Sequence, residues 1–210
     1  MPISARTTAI AAAVVIAAGL AVAYFVTRPG EEDRFAQCRR GVVAGGGGSI
    51  GGPFTLIDET GATVTDKDVI TTPALIYFGY TYCPDVCPLD NARNAEAVML
   101  LEDKGYFVTP IFISVDPARD TPEVLADFTS VMHPRMIGLT GTPEQVKAAS
   151  QAYRTYFNIK DPSDPYYLVD HSTQTYLVFP KSGFAEFFNR DTTPQEMADR
   201  VSCFIDAENG

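Results

Sequence analysis

The stretch Ala74-Leu75-Ile76-Tyr77-Phe78-Gly79-Tyr80-Thr81-Tyr82-Cys83-Pro84-Asp85-Val86-Cys87-Pro88 decides how this chain is organised. Its first half is an uninterrupted apolar run, the pattern of a strand covered on both faces. Its second half places two cysteines four residues apart, with a helix starting near Cys87-Pro88. Thiols at such a junction lie beside a helix N-terminus, where the dipole and unpaired N–H groups favour thiolate over thiol. Thiolate binds soft metals and exchanges disulfides, so the expected chemistry is sulfur chemistry.

Outward from this stretch the chain alternates strands and helices. Pro53 to Thr65 has the pattern of a hairpin turning near Glu59-Thr60-Gly61. Pro88 onward reads as a helix with Ala92, Ala95, Val98 and Met99 on its apolar face and Gly105 as its stop. Val108–Val115 is a second core strand, and Thr121-Pro122 opens a helix with Thr as N-cap and Pro at the first position. Met136–Leu139 is a short strand. Thr142-Pro143-Glu144-Gln145 is a capping box for a helix expected to run to about Tyr156. Tyr167–Val169 and Thr175–Phe179 look extended, Phe184–Phe188 closes a hairpin, and Thr193-Pro194-Gln195-Glu196 opens the last helix. The expectation is an α/β fold, a central mixed sheet flanked by helices. A cysteine pair at the first strand-to-helix junction is where thioredoxin-like proteins carry their thiols, although the spacing here is C-x-x-x-C rather than C-x-x-C.

The N-terminus is different in kind. No charge lies between Arg6 and Arg28, and Thr8 to Val26 is almost wholly apolar. About 20 such residues at ~1.5 Å each span the ~30 Å hydrocarbon core of a bilayer. The expected division is a cytoplasmic head at 1–6, a transmembrane anchor at 7–27, a flexible Gly-rich linker at 28–52 and the α/β domain at 53–210. Ala21-Val22-Ala23 resembles a signal-peptide cleavage site, but Tyr24-Phe25-Val26 carries the apolar run past it, which favours an uncleaved anchor. Both alternatives export the domain, and the basic head places it outside by the positive-inside rule. The run Gly45-Gly46-Gly47-Gly48-Ser49 is linker composition, not a phosphate loop, since no Gly-Lys-Ser/Thr follows.

Beyond Arg28 the chain carries 14 basic and 26 acidic residues, a formal charge of −12, which argues against nucleic acid as a partner. The four cysteines form two pairs. Cys83 and Cys87 are local to one another. Cys38 and Cys203, in an exported domain, are expected to form a disulfide between the arm after the anchor and the last helix, against the alternative of two unrelated buried thiols.

Cys83 and Cys87, at i and i+4 on a helical face, are close enough to chelate one ion. A third ligand has two candidates, because the chain has two histidines. His171, between two extended segments, is the better placed, and His133, after a helix, is expected to be a surface or capping residue. A Cys2His set falls one ligand short of structural zinc. Soft thiolates with one imidazole suit Cu(I), and S,N donation also holds Cu(II). Asp116 and Asp120 are open to two roles, support of the site or simple turn and helix-start chemistry. Asp170 is a candidate to orient His171, against the alternation of strand faces. Phe78, Tyr80 and Tyr82 share a face, with core packing expected and Tyr82 the candidate to wall the site.

Three motifs, Gly79–Pro88 (GYTYCPDVCP), Ser114–Pro122 (SVDPARDTP) and Val169-Asp170-His171-Ser172, resemble those of the Sco (SenC/PrrC) proteins from about Gly51 to the C-terminus. The resemblance implies a thioredoxin-like domain binding one copper, Cu(I) or Cu(II), through Cys83, Cys87 and His171. It further implies a metallochaperone tethered to a bacterial-type inner membrane, its domain on the periplasmic side. Its partners would be cytochrome c oxidase subunit II, whose CuA centre would receive the copper, and other copper-transfer proteins. The alternative is a thiol:disulfide oxidoreductase whose catalytic residues are Cys83 and Cys87, reducing a partner's cysteines before they take up metal. A domain with inert cysteines is a third reading, disfavoured by the two flanking prolines.

Overall fold

The computed structural model describes residues 16–20, 24, 33–39 and 50–210. Residues 16–20 and 24 are helical and exposed. Most of the anchor expected at 7–27 and most of the linker lie outside the described residues, and among those described no helix is long and apolar enough to cross a membrane. The remainder forms a compact unit from Phe35 onward.

Among the described residues, that unit has a 3-10 turn at Ala36–Cys38, nine strands and five α-helices: β1 Thr55–Asp58, β2 Thr63–Thr65, α1 Asp66–Val69, β3 Ala74–Gly79, α2 Val86–Asp103, β4 Thr109–Ser114, α3 Pro122–Met132, β5 Ile137–Thr140, α4 Pro143–Ala152, β6 Phe157–Ile159, β7 Val169–His171, β8 Thr175–Phe179, β9 Gly183–Phe188 and α5 Pro194–Asn209. Seven strands form one mixed sheet in the order β2-β1-β5-β4-β3-β8-β9. β3, β4 and β5 run parallel, with Ala74 opposite Thr109 and Gly79 opposite Ser114. β8 and β9 run antiparallel on the β3 side.

Every residue of β3 is buried, because helices cover both faces. On one face Leu75 packs with Val98 and Leu101 of α2 and Val201 and Phe204 of α5. On the other, Ile76 and Phe78 pack with Leu125, Leu139 and Val146. Each such side chain contributes about 1.5–3 kcal/mol on burial. That central anchoring makes the end of β3 a rigid platform for the residues after it.

Local signals set most boundaries. Asp58 closes the β1–β2 turn by accepting from the Thr60 and Ala62 amides at 2.9 Å each, while Gly61 takes a positive φ of 84°. Thr121, Thr142 and Thr193 each cap a helix with Pro following.

Three expectations need correction. The helix expected to reach Tyr156 stops at Ala152, because Arg154 adopts φ 52° and turns the chain into β6. In α2, Ala92 and Met99 are exposed, and the covered positions include the polar Asp90, Asn91 and Asn94. Finally, Phe35–Cys38, inside the stretch expected as linker, are not loose. Phe35 stacks on Phe179 at 5.6 Å, and Cys38 is disulfide-bonded to Cys203 with Cα atoms 5.8 Å apart, as the cysteine pairing predicted.

Candidate metal centre

Two ligand-bearing segments meet at the C-terminal end of β3. The first is the turn from Gly79 into α2, carrying Cys83 in the loop and Cys87 in the first helical turn. The second is the β6–β7 ribbon, a separate two-stranded sheet whose last residue is His171. The Sγ atoms of Cys83 and Cys87 and a ring nitrogen of His171 all lie within 4.8 Å of one another. His133 is not part of this group. It caps the C-terminus of α3, and its Nδ1 accepts from the Arg135 amide at 3.1 Å. It is buried there, so it is a capping residue and not a surface one.

Each candidate ligand is held by a specific contact. The α2 N-cap Asp85 makes no side-chain cap, and the Cys87 amide donates instead to Cys83 Sγ at 3.4 Å. The first cysteine thus occupies the place of a capping oxygen. Cys87 is fully buried, and its sulfur fits because residue 79 is glycine: a Cβ there would lie 2.9 Å from Cys87 Sγ. His171 Nδ1 lies 2.7 Å from the Ser172 carbonyl oxygen, which only accepts, so Nδ1 carries the proton. Nε2 then presents its lone pair to Cys87 Sγ at 3.2 Å. That tautomer is the one a metal needs. The rings of Tyr77 and Tyr80 meet the imidazole edge-on at 6.1 and 5.7 Å.

Burial sets the protonation of the resting site. It pushes the Cys87 thiol well above the usual thiol range and pulls His171 below the usual histidine range. The expectation that the helix N-terminus yields thiolate fails at Cys87, where desolvation outweighs it. The resting pair is a thiol donating to a neutral imidazole. Tyr80 is also pushed up, to about 12, chiefly by burial.

The surrounding residues divide differently from the sequence expectations. Tyr82 is 57% exposed, because β3 ends at Gly79 and strand alternation does not reach it; Phe78 and Tyr80 are buried. Asp170 points outward and pairs with Lys160 at 3.0 Å, and the Ser172 carbonyl orients His171 instead. Asp116 and Asp120 are fully buried and combine both expected roles: the Asp116 carbonyl closes a turn by accepting from the Arg119 and Asp120 amides, just before the α3 N-cap, and the two carboxylates brace residues around the site. Asp120 accepts from the Thr81 amide at 3.1 Å, the Thr81 hydroxyl at 2.6 Å and the Ser114 hydroxyl at 2.6 Å. Asp116 accepts from Arg119 Nε at 2.5 Å and from the Tyr167 hydroxyl at 2.5 Å. Sequence reasoning missed Arg119, Tyr167 and Tyr77. The Asp116/Arg119 spacing of three was the available signal for the first, and the others become neighbours only through the fold.

A buried dithiol facing an imidazole, at a strand-to-helix junction of a mixed sheet flanked by helices, defines a thioredoxin-like domain equipped to hold a metal ion or to cycle a disulfide. Comparison with known proteins narrows this class. The chain belongs to the SCO1/SenC family, which it matches over residues 43–206. It is 61% identical to protein SenC of Rhodobacter capsulatus over 209 residues, 99% of this chain and 94% of that protein. Among solved structures, copper-bound ScoI of Arabidopsis thaliana superposes with a TM-score of 0.71 at 40% identity, covering 75% of this chain and 98% of that one. BsSco, described as carrying a disulfide switch and as a member of the Sco family of cytochrome c oxidase assembly proteins, superposes at 0.57 with 25% identity, covering 72% and 91%.

Proposed function

We propose that this chain is a copper metallochaperone in which Cys83, Cys87 and His171 hold a single copper ion as cargo and pass it to the CuA centre of cytochrome c oxidase subunit II. The observation that carries this reading is the convergence of two sulfurs and a lone-pair-bearing Nε2 within 4.8 Å. Two thiolates satisfy Cu(I), and the added imidazole accommodates Cu(II). The copper bound in Arabidopsis ScoI and the oxidase-assembly description of BsSco support the cargo and its destination. In this reading residues 7–27 anchor the protein in the inner membrane, 28–52 lead from it, and the domain at 53–210 works on the periplasmic side.

Ligand exchange is the mechanism of transfer. Metal entry displaces the protons of the thiols it binds, that of Cys87 included, and ends the Cys87–His171 hydrogen bond. Incoming thiolates of the partner then replace Cys83 and Cys87 one at a time, so that copper is never free.

A second reading is favoured by the same pair of sulfurs and by the disulfide switch of BsSco. Here Cys83 and Cys87 reduce a partner disulfide. Two electrons and two protons leave the dithiol, the Cys83–Cys87 bond forms, and the partner's S–S bond becomes two thiols.

Copper titration of the reduced full chain, alongside Cys83→Ala, Cys87→Ala and His171→Ala, tests both. One copper per chain, lost in all three variants, is expected. Full affinity in His171→Ala would refute the ligand set. No copper binding with a reversible Cys83–Cys87 disulfide would shift the assignment to the oxidoreductase.

A further inference from the structure

The two segments that bear the ligands share no strand pairing. β3 belongs to the seven-stranded sheet, whereas β7 pairs only with β6, through three residue pairs. So short a ladder is a weak hold on its own. Besides the direct contacts of His171 with Cys87, Tyr77 and Tyr80, the two segments are joined by the loop after β4, residues 115–120, which supplies no ligand. Towards the dithiol, the Asp120 carboxylate grips the amide and hydroxyl of Thr81, two residues before Cys83. Towards the ribbon, Asp116 accepts from the Tyr167 hydroxyl, four residues before His171. Arg119 joins both sides: its guanidinium carbon lies 3.6 Å from the ring centroid of Tyr167, 4.8 Å from that of Tyr82 and 5.7 Å from that of Tyr80. Its Nε is tied to Asp116, and its Nη2 is buried without a hydrogen-bond partner, so aromatic faces take the place of acceptors.

We propose that Asp116, Arg119 and Asp120 form a clamp that sets the position of the His171 imidazole against the dithiol, and through it determines how well the site holds Cu(II) relative to Cu(I). These are positioning residues, and the inference rests on the copper reading above. Two soft thiolates suffice for Cu(I), and both come from the dithiol segment, which β3, α2 and the Asp120–Thr81 contacts hold whether or not the Asp116/Arg119 side of the clamp is intact. Cu(II) prefers tetragonal sites with nitrogen donors and depends on the imidazole. Loosening its Asp116/Arg119 side, which faces the ribbon, therefore removes Cu(II) affinity while leaving Cu(I) affinity in place.

The test uses the reduced full chain in detergent, wild type beside Arg119→Lys and Tyr167→Phe. Arg119→Lys keeps the charge but loses the planar stack. Tyr167→Phe removes only the hydroxyl and keeps the Arg119–Asp116 pair, so it reports even if the first variant folds poorly. The expected result is a loss of at least tenfold in Cu(II) affinity with an altered sulfur-to-Cu(II) absorption band, while Cu(I) affinity, measured by competition with a Cu(I) chelator, stays within threefold. In the metal-free protein, amide exchange in 157–159 and 169–171 should quicken while β3 and β4 stay protected. Equal losses for both copper states would overturn the selectivity, and unchanged ribbon exchange would overturn the clamp. If the wild type binds no copper, the copper reading fails, and the exchange measurement still decides the clamp by itself.

Discussion

Gly79→Ala isolates the steric condition on which the site is built. Gly79 lies in β3, so the cost of a methyl group there is contact, not backbone strain. The added carbon would lie 2.8 Å from Tyr77 Cε1, 2.9 Å from Cys87 Sγ and 3.0 Å from Phe112 Cε2. None of these is a flexible side-chain end. Tyr77 is held by its hydroxyl to Asp90 at 2.9 Å, Phe112 is fully buried, and Cys87 is fixed in the first turn of α2. Overpacking of this kind costs about 1–3 kcal/mol, a drop of roughly 2–12 °C in Tm for a domain this size. The sulfur sits about half an ångström inside ordinary contact, and metal sites tolerate departures of only about 0.2 Å in ligand distance. Copper affinity should therefore fall at least tenfold, about 1.4 kcal/mol. Gly138→Ala is the control. Its Cβ would meet Leu125 at 2.9 Å and Glu59 at 3.0 Å, equally crowded but without a metal ligand among its neighbours. Urea denaturation and copper competition on both variants check the argument. If Gly79→Ala keeps wild-type affinity, or Gly138→Ala loses as much, the claim that Gly79 makes room for the sulfur is wrong.

Copper affinity should rise with pH across neutrality by at least about tenfold per unit, because burial holds the proton on Cys87 and the metal must displace it, whereas His171 is already neutral and adds no slope. A flat profile in a pH series of competition titrations would contradict the protonated resting site. Replacing Cys38 and Cys203 together by Ser should lower stability to urea by at most about 5 kcal/mol, the chain-entropy value for 165 residues of separation, with copper affinity unchanged. Asp120→Ala strands the Thr81 amide and hydroxyl and the Ser114 hydroxyl, and should cost about 1–3 kcal/mol. Wild-type stability in that variant would show that the loop finds other partners.

The candidate ligands were legible because their chemistry is local or scarce: two cysteines in one turn, and two histidines of which one lies beside extended segments. The disulfide was legible for the same reason, once the dithiol had claimed the other two cysteines. What sequence periodicity misjudged was the face of α2. A rule that looks for apolar residues passes over Asp90, Asn91 and Asn94, which are buried because Asp90 accepts from Tyr77 and Arg190 and Asn91 donates to the Cys87 carbonyl at 2.8 Å. β6 was hidden in the same way, since nothing in Arg154 announces the left-handed backbone that ends α4 two residues earlier. Arg119 and Tyr167 were invisible for a different reason: they are 48 residues apart in the chain and meet only because the β6–β7 ribbon returns to the loop after β4.

The protonation of Cys87 shows how the fold changes a conclusion that local structure alone would give. A helix N-terminus favours an anion by about 0.3–1 kcal/mol near a surface. Complete burial acts against the same anion and is the stronger of the two at this site, so Cys87 rests as a thiol. A buried pair of thiolates with no counter-charge would be untenable, whereas a thiol sharing its proton with neutral Nε2 is satisfied in place. A copper ion then brings the positive charge that the departing protons remove. Burial therefore makes the resting site stable and ties exposure of its charge to the arrival of metal. Cys83 is the less buried of the two cysteines, so the chaperone reading expects an incoming partner to meet it first.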